Sequence, residues 1–381
     1  MGTGVALDMG TSMTRVFYGA DGTLWEEPSV VAVDASTGQV VGFGSRALPM
    51  VGRAPGYVVL ERPVHHGSIS RFELARRMLK SVLRRGRSGL GKLRVVACTP
   101  SAGTAIERRA LEEVLFAAGA SEVAIVEQPM AAALGSGLDV AEPLGQMVVD
   151  LGAGKTEAAV VCLGSVVAYR RAPVGGDDVD AALAAHIRTR HGALVGRDVI
   201  ARAKLAITQD DPPDRRSAVG GSAYDLRSGD GIRSGDGIWS GDGSRGPSVA
   251  GGPADASQGE APGLPGIHVV GRDLSDGAVR DLLLQRSEVA GAMAPSFASI
   301  ARSVAEAVTD APGELAHDLL KGGMNLVGGG ARSRALGRVL ASATALPCRV
   351  VDEPERAVIR GAAVCLEDFD RWRELLAATS P

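Results

Sequence analysis

Val5-Ala-Leu-Asp8-Met-Gly10-Thr11-Ser12-Met13-Thr14 decides the fold once it is set beside Met147-Val-Val-Asp150-Leu-Gly152-Ala153-Gly154-Lys155-Thr156-Glu157. Each runs from an apolar strand through an aspartate into a turn of small residues. Each then returns as a strand, RVFYG at 15–19 and EAAVVCLG at 157–164. Such a turn offers backbone N–H groups and hydroxyls to phosphate oxygens, and its aspartate is placed to hold a hydrated metal ion. One copy alone reads as an ordinary hairpin. Two copies predict duplicated halves that close on one nucleotide from opposite sides. Gly154-Lys155-Thr156 is not a Walker loop, because that loop needs a glycine where Val149 stands and opens a helix, whereas a β-branched run follows here.

A third element lies near the C-terminus. Met324-Asn-Leu-Val327 runs into Gly328-Gly329-Gly330-Ala331 and then the helical pattern RALGRVLASATA. Three glycines let the backbone approach a flat base or ribose, and the helix start adds a positive dipole end. Around these motifs, short apolar runs alternate with helical patterns such as FELARRMLKSVLRR, ERRALEEVLFAAGA and PMAAALGSGL. That order predicts an α/β fold with helix-covered sheets. From 210 to 266, Gly, Ser, Asp and Pro replace the periodic apolar residues, and ArgSerGlyAspGlyIle at 227–232 recurs at 233–238. A flexible surface insertion is expected there, since such composition buries too little to offset ordering entropy. A calcium-binding turn repeat would need a nine-residue period and more copies. Helical and strand patterns resume beyond it, including AVRDLLLQRSEVAGAM at 278–293.

At 381 residues the chain suits two domains around a cleft, and its net charge of −3 argues against a dedicated nucleic-acid binder. Only five of its 41 basic residues are lysines, so each lysine is informative. Cys98, Cys162, Cys348 and Cys365 are widely spaced and predict reduced thiols in a cytoplasmic protein. No run is long and apolar enough for a spanning helix, and MGTGVALDMGT has no secretory character.

Hairpin, connecting helix, second hairpin and triple-glycine loop, in this order, resemble the actin, sugar kinase and heat-shock chaperone ATPase superfamily. Within it the chain is similar to the MreB/Mbl family. The likeness is carried by GluGluProSerValValAla at 26–32, GlyArgAlaProGly at 52–56, ArgArgAlaLeuGluGlu at 108–113, GluGlnProMetAlaAlaAla at 127–133 and AlaGluProLeuGlyGlnMetValValAsp at 141–150. The resemblance implies an actin-like fold of two ribonuclease-H-like halves, with four subdomains around a cleft for ATP and Mg2+. Its halves would span 1–145, with a smaller outer subdomain at about 25–65, and 146–345, with 346–381 returning to the first half. It implies homopolymer filaments at the inner face of the cell membrane, acting with cell-wall synthesis and morphogenesis membrane proteins. By matched position, Asp8, Gly10, Thr11, Ser12, Met13 and Thr14 would serve phosphate and metal. Asp150, Gly152, Ala153, Gly154 and Thr156 would form the second turn, with Asp8 and Asp150 holding Mg2+ through water. Gly328, Gly329, Gly330 and Ala331 would take the nucleoside, with Gly176 and Asp177 beside the ribose and Lys204 on a helix flanking the base.

Two positions depart from the family pattern where hydrolysis is decided. Gln128 replaces the second glutamate of GluGluPro, and an amide positions water but cannot take its proton. Lys155 replaces the first threonine of the AspIleGlyGlyGlyThrThrGlu loop, exchanging a hydroxyl for a full positive charge that would attract phosphates, displace magnesium or clasp the product. Ala153, in place of the middle glycine, narrows the backbone angles. The two substitutions imply slow or absent ATP hydrolysis. A nucleotide-locked scaffold is one alternative, and a sugar-kinase-like enzyme is another. The basic stretch 84–93, with Leu90 at its centre, is expected to give a weak contact with anionic lipid.

Overall fold

The computed structural model describes residues 4–65, 67–86, 92–101, 103–209 and 266–378. The insertion lies outside these residues up to 265, and so does Leu90. Of the basic residues beside Leu90, Arg85 stacks on Trp25 and Lys92 pairs with Glu122.

Two five-stranded sheets share one connectivity. In the first, Gly4–Met9, Met13–Tyr18 and Thr23–Pro28 form an antiparallel meander, and Arg94–Thr99 and Glu122–Glu127 add in parallel beyond Gly4–Met9. In the second, Gln146–Leu151, Thr156–Cys162 and Ser165–Ala172 meander, and Met324–Val327 and Cys348–Val350 add in parallel beyond Gln146–Leu151. Parallel neighbours require crossovers. Helices Phe72–Arg85 and Ala105–Ala118 supply them in the first half, and Arg286–Asp310 and Arg334–Thr344 lie on the second-half crossovers. Coverage on both faces explains why Gly4–Met9 and Thr156–Cys162 are buried along their whole length. Helix Ala105–Ala118 is delimited by its own sequence: Thr104 and Glu107 close a capping box, and Gly119 ends the helix in the left-handed region.

Each half carries a smaller three-stranded sheet. One comprises Val31–Asp34, Val40–Phe43 and Val58–Glu61, and the other Ala193–Val195, Ile267–Asp273 and Val279–Leu284. The stretch 278–293 therefore divides into a strand and the start of helix Arg286–Asp310. The period of two decides this: Leu282 and Leu284 point inward and are buried, while Leu283 is exposed.

Beyond 346 the chain does not go straight back to the first half. Cys348–Val350 remains in the second sheet, held by its parallel register with Met324–Leu326, and helix Ala357–Glu367, followed by Phe369–Ala378, packs on the first sheet. Here it crosses helix Gln128–Gly135 in a core of small residues, Ala131, Ala132, Ala133, Ala357 and Ala362, that also receives Ala6, Val96, Val148 and Val327 from both sheets. A Cβ added at Gly361 would lie 1.7 Å from the Ala131 carbonyl oxygen, and one at Gly135 would lie 1.8 Å from that of Ala357. The two halves are thus joined by a backbone-to-backbone helix crossing that only glycine permits.

Candidate functional site

Each hairpin turn closes with the same bond. The Gly10 N–H donates to the Met13 carbonyl at 3.0 Å, and the Gly152 N–H donates to the Lys155 carbonyl at 3.0 Å. The turns meet tip to tip, since a Cβ on Gly154 would stand 2.7 Å from Thr11 Oγ1. Between them opens a cavity of about 360 Å³ that both halves line.

Most of the expected site residues face this cavity. Asp8, Gly10, Thr11, Ser12, Met13, Gln128, Asp150, Gly152, Ala153, Gly154, Lys155, Thr156, Gly176, Asp177, Lys204, Gly328, Gly329 and Gly330 all line it. Thr14 and Ala331 do not. The alternation of strand Met13–Tyr18 turns Thr14 inward, where its hydroxyl bonds Ser29 Oγ at 2.8 Å, and Ser29 in turn donates to the Gly10 carbonyl. Thr14 thus supports the turn from beneath. Ala331 is buried in the core of the second half.

The third element shapes the wall opposite. Gly328 adopts φ +79°, and a Cβ there would meet Asp150 Oδ1 at 2.5 Å, so the chain passes directly over the aspartate. Around Gly329 there is open space, which leaves bare backbone toward the cavity. The helix start beyond is capped within the chain, because Ser333 Oγ accepts from the Leu336 N–H. Helix Gly176–His191 is fastened to the second turn by its first N–H groups, Gly176 to the Gly152 carbonyl and Asp177 to that of Ala153. Lys204 lies across it, donating to the Gly176 carbonyl and pairing with Asp180 at 2.8 Å. Phe297, Ile300 and Leu336 add an apolar wall.

At the floor, the two departures from the family pattern form one hydrogen-bonded unit. Lys155 is buried, and its ammonium pairs with Glu157 and donates to Gln128 Oε1 at 2.5 Å. The other end of the Gln128 amide donates to Asp8 Oδ1 at 3.3 Å. Tyr169 donates to the second oxygen of Glu157 at 2.6 Å. Lys155 therefore does not reach freely into the cavity, since two of its three donors are spent within the protein. Burial pushes the Asp8 carboxyl up, against the pull of Arg15. Asp150 opens onto the cavity yet lies deep below the outer surface, and burial together with Glu157 pushes its carboxyl up to about 7.

Several contributors escaped the sequence reading. Glu157 stands directly opposite Asp150 in the second hairpin, as Arg15 stands opposite Asp8 in the first. Their spacing, seven residues beyond each aspartate, was the available signal. Arg62 follows a strand of the small sheet and joins the two halves, donating to the Thr11 carbonyl at 2.9 Å and to Asp177 at 3.1 Å. Nothing local marks Arg62 for that task.

The residues fit a nucleotide with a hard divalent cation. Asp8, buried, and Asp150, open to the cavity, stand on facing hairpins as oxygen donors of the kind Mg2+ requires, and the bare backbone at Gly329 leaves room for a flat group.

Duplicated meanders with parallel additions, closing their turns on a shared cavity, define an actin-like fold. A family profile described as MreB/Mbl protein matches residues 2–229 and 256–374, and the chain belongs to that family. The cell shape-determining protein MreB of Escherichia coli (strain K12) is 34% identical over 373 residues, 96% of this chain and 94% of that one. The cell shape-determining protein Mbl of Bacillus subtilis (strain 168) is 28% identical over 369 residues, 96% of each chain. Among solved structures, MreB5 of Spiroplasma citri bound to AMPPNP superposes with a TM-score of 0.78 at 24% identity over 97% of each chain. A MamK double helical filament superposes with a TM-score of 0.68 at 18% identity, over 96% of this chain and 98% of that one. Among the described residues, no helix is long and apolar enough to cross a membrane.

Proposed function

We propose that the chain binds ATP with Mg2+ in this cavity, assembles with copies of itself into filaments, and organises cell-wall synthesis and cell shape at the inner face of the membrane. The family membership, the relatives' designation as cell shape-determining proteins and the MamK filament support assembly. The phosphates would lie on the turns Gly10–Met13 and Gly152–Lys155, with Asp8 and Asp150 holding Mg2+ through water. The nucleoside would rest between the Gly328–Gly330 backbone and the Gly176 and Lys204 side. Mg2+, when bound, supplies neutralising charge to the phosphates.

Hydrolysis by this site is slow. The observation that carries this reading is the chain Glu157–Lys155–Gln128–Asp8. A water beside the terminal phosphate needs a group to take its proton. Gln128 cannot do so, and both ends of its amide are already engaged. The filament is therefore locked by nucleotide rather than timed by turnover.

ATP-dependent sedimentation with phosphate release followed in parallel tests both parts. The expected result is pelleting with ATP and release at least about 100-fold slower than in a Lys155→Thr, Gln128→Glu double variant, the scale of a missing general base. Equal rates in the two proteins overturn the hydrolysis reading. A chain that stays soluble with and without ATP overturns assembly and favours a monomeric enzyme.

A further inference from the structure

Away from the cavity, the other end of helix Gly176–His191 meets the first turn of helix Arg286–Asp310. Here His186 Nε2 and His191 Nε2 approach the same atom, Glu288 Oε1, at 2.9 and 2.5 Å. Among the described residues this is the group in which His, Cys, Asp or Glu donors converge in threes, all within 4.8 Å of one another. We propose that His186, His191 and Glu288 form a binding site for a transition-metal cation of the Zn2+ class, with its remaining coordination position open to water.

The donor chemistry selects the metal. Two imidazoles and one carboxylate suit Zn2+ and its neighbours, whereas Mg2+ and Ca2+ take oxygen donors. The three ligand atoms already lie within 4.8 Å of one another. Around a tetrahedral Zn2+ with bonds of about 2.0–2.1 Å, ligand atoms sit roughly 3.3 Å apart. The observed separations from Glu288 Oε1, 2.9 and 2.5 Å, must open by about 0.4 and 0.8 Å to reach that value. Glu288 is oriented for the task by its other oxygen, which accepts from the Gln285 N–H in the helix cap and so directs Oε1 at the two rings. The side chains retain 31%, 23% and 16% exposure, enough for a cation to enter and for a water to complete the shell. The fold supplies a reason for a clamp at this point. The same two helices line the cavity, one through Gly176 and Asp177 at its start and the other through Phe297 and Ile300.

The test uses the purified full chain, stripped with chelator and titrated with Zn2+ against a chromophoric competitor, with thermal unfolding followed in parallel. One equivalent of Zn2+ and a rise in Tm are expected. Affinity should fall more than about 100-fold in His186→Gln, His191→Gln, beyond the loss typical of outer-shell partners, and at least about 10-fold in Glu288→Gln. Circular dichroism establishes that the variants fold. A Cys348→Ala variant should bind as the native chain does, excluding the partly buried thiol as the ligand. If the native chain takes up no stoichiometric Zn2+, or if the double-histidine variant binds equally well, the cluster is a hydrogen-bonded tie between helices and the proposal falls.

Discussion

Asp150 and Glu157 stand opposite each other on one face of the second hairpin. Like charges in that register repel, and the Lys155 ammonium is the ion-pair partner of one of them, Glu157. Removing one member of a buried pair leaves its partner uncompensated. Glu157→Gln is therefore expected to cost about 3–5 kcal/mol in denaturant unfolding. Adding Lys155→Met should recover most of that loss, and a double variant no more stable than Glu157→Gln alone would sink the pairing argument. Asp150 gives a pH dependence. Its folded carboxyl is raised from 3.8 to about 7, so the folded chain holds a proton that the unfolded chain releases. Its contribution to ligand-free stability falls as pH rises from about 4 to about 7. Asp150→Asn removes this penalty, so its stability relative to the native chain should be greater at about pH 8 than at about pH 5. A pH-independent difference would contradict the assigned burial of the carboxylate.

Helices Gln128–Gly135 and Ala357–Glu367 show how small residues govern an element. Their sequences, GlnProMetAlaAlaAlaLeuGly and AlaValIleArgGlyAlaAlaValCysLeuGlu, carry little side-chain volume where they cross. Close approach follows, and with it a common core for the two halves. Gly361→Ala places a methyl against the Ala131 carbonyl, and the overpacking should cost at least about 1–3 kcal/mol. Val364→Ala on the exposed side of the same helix should change stability by less than about 0.5 kcal/mol. Both substitutions raise helix propensity, so a Gly361→Ala variant as stable as Val364→Ala would refute the crossing argument. Because Gln128 begins one of these helices, the crossing also positions the amide that touches Asp8 and Lys155.

On the scale of the whole molecule, the halves meet at the helix crossing, the facing turns and the Arg62 tie. A ligand between the turns binds the folded chain alone, so ATP with Mg2+ at about 100 times its Kd should add about 2.7 kcal/mol of stability. Thermal unfolding with and without nucleotide reads this directly, and an unchanged Tm at saturating ATP would refute the cavity assignment. The architecture was legible in the chain because its signals are local: strand periodicity, two aspartate-and-glycine turns, three glycines before a helix. So were the two unusual residues, Gln128 and Lys155. Their meaning was not. Read along the chain, Lys155 is a charge offered to phosphate. Folded, it is engaged by Glu157 two residues away and by Gln128 across the halves. Arg62 reaches Asp177 over 115 positions, and His186 and His191 reach Glu288 from another helix. The sequence by itself determined the elements and their duplication, since hairpins and helices arise from neighbouring residues. Tertiary structure alone decided which charges became partners, because a buried ion is satisfied by whatever the packing of distant elements brings within a few ångströms.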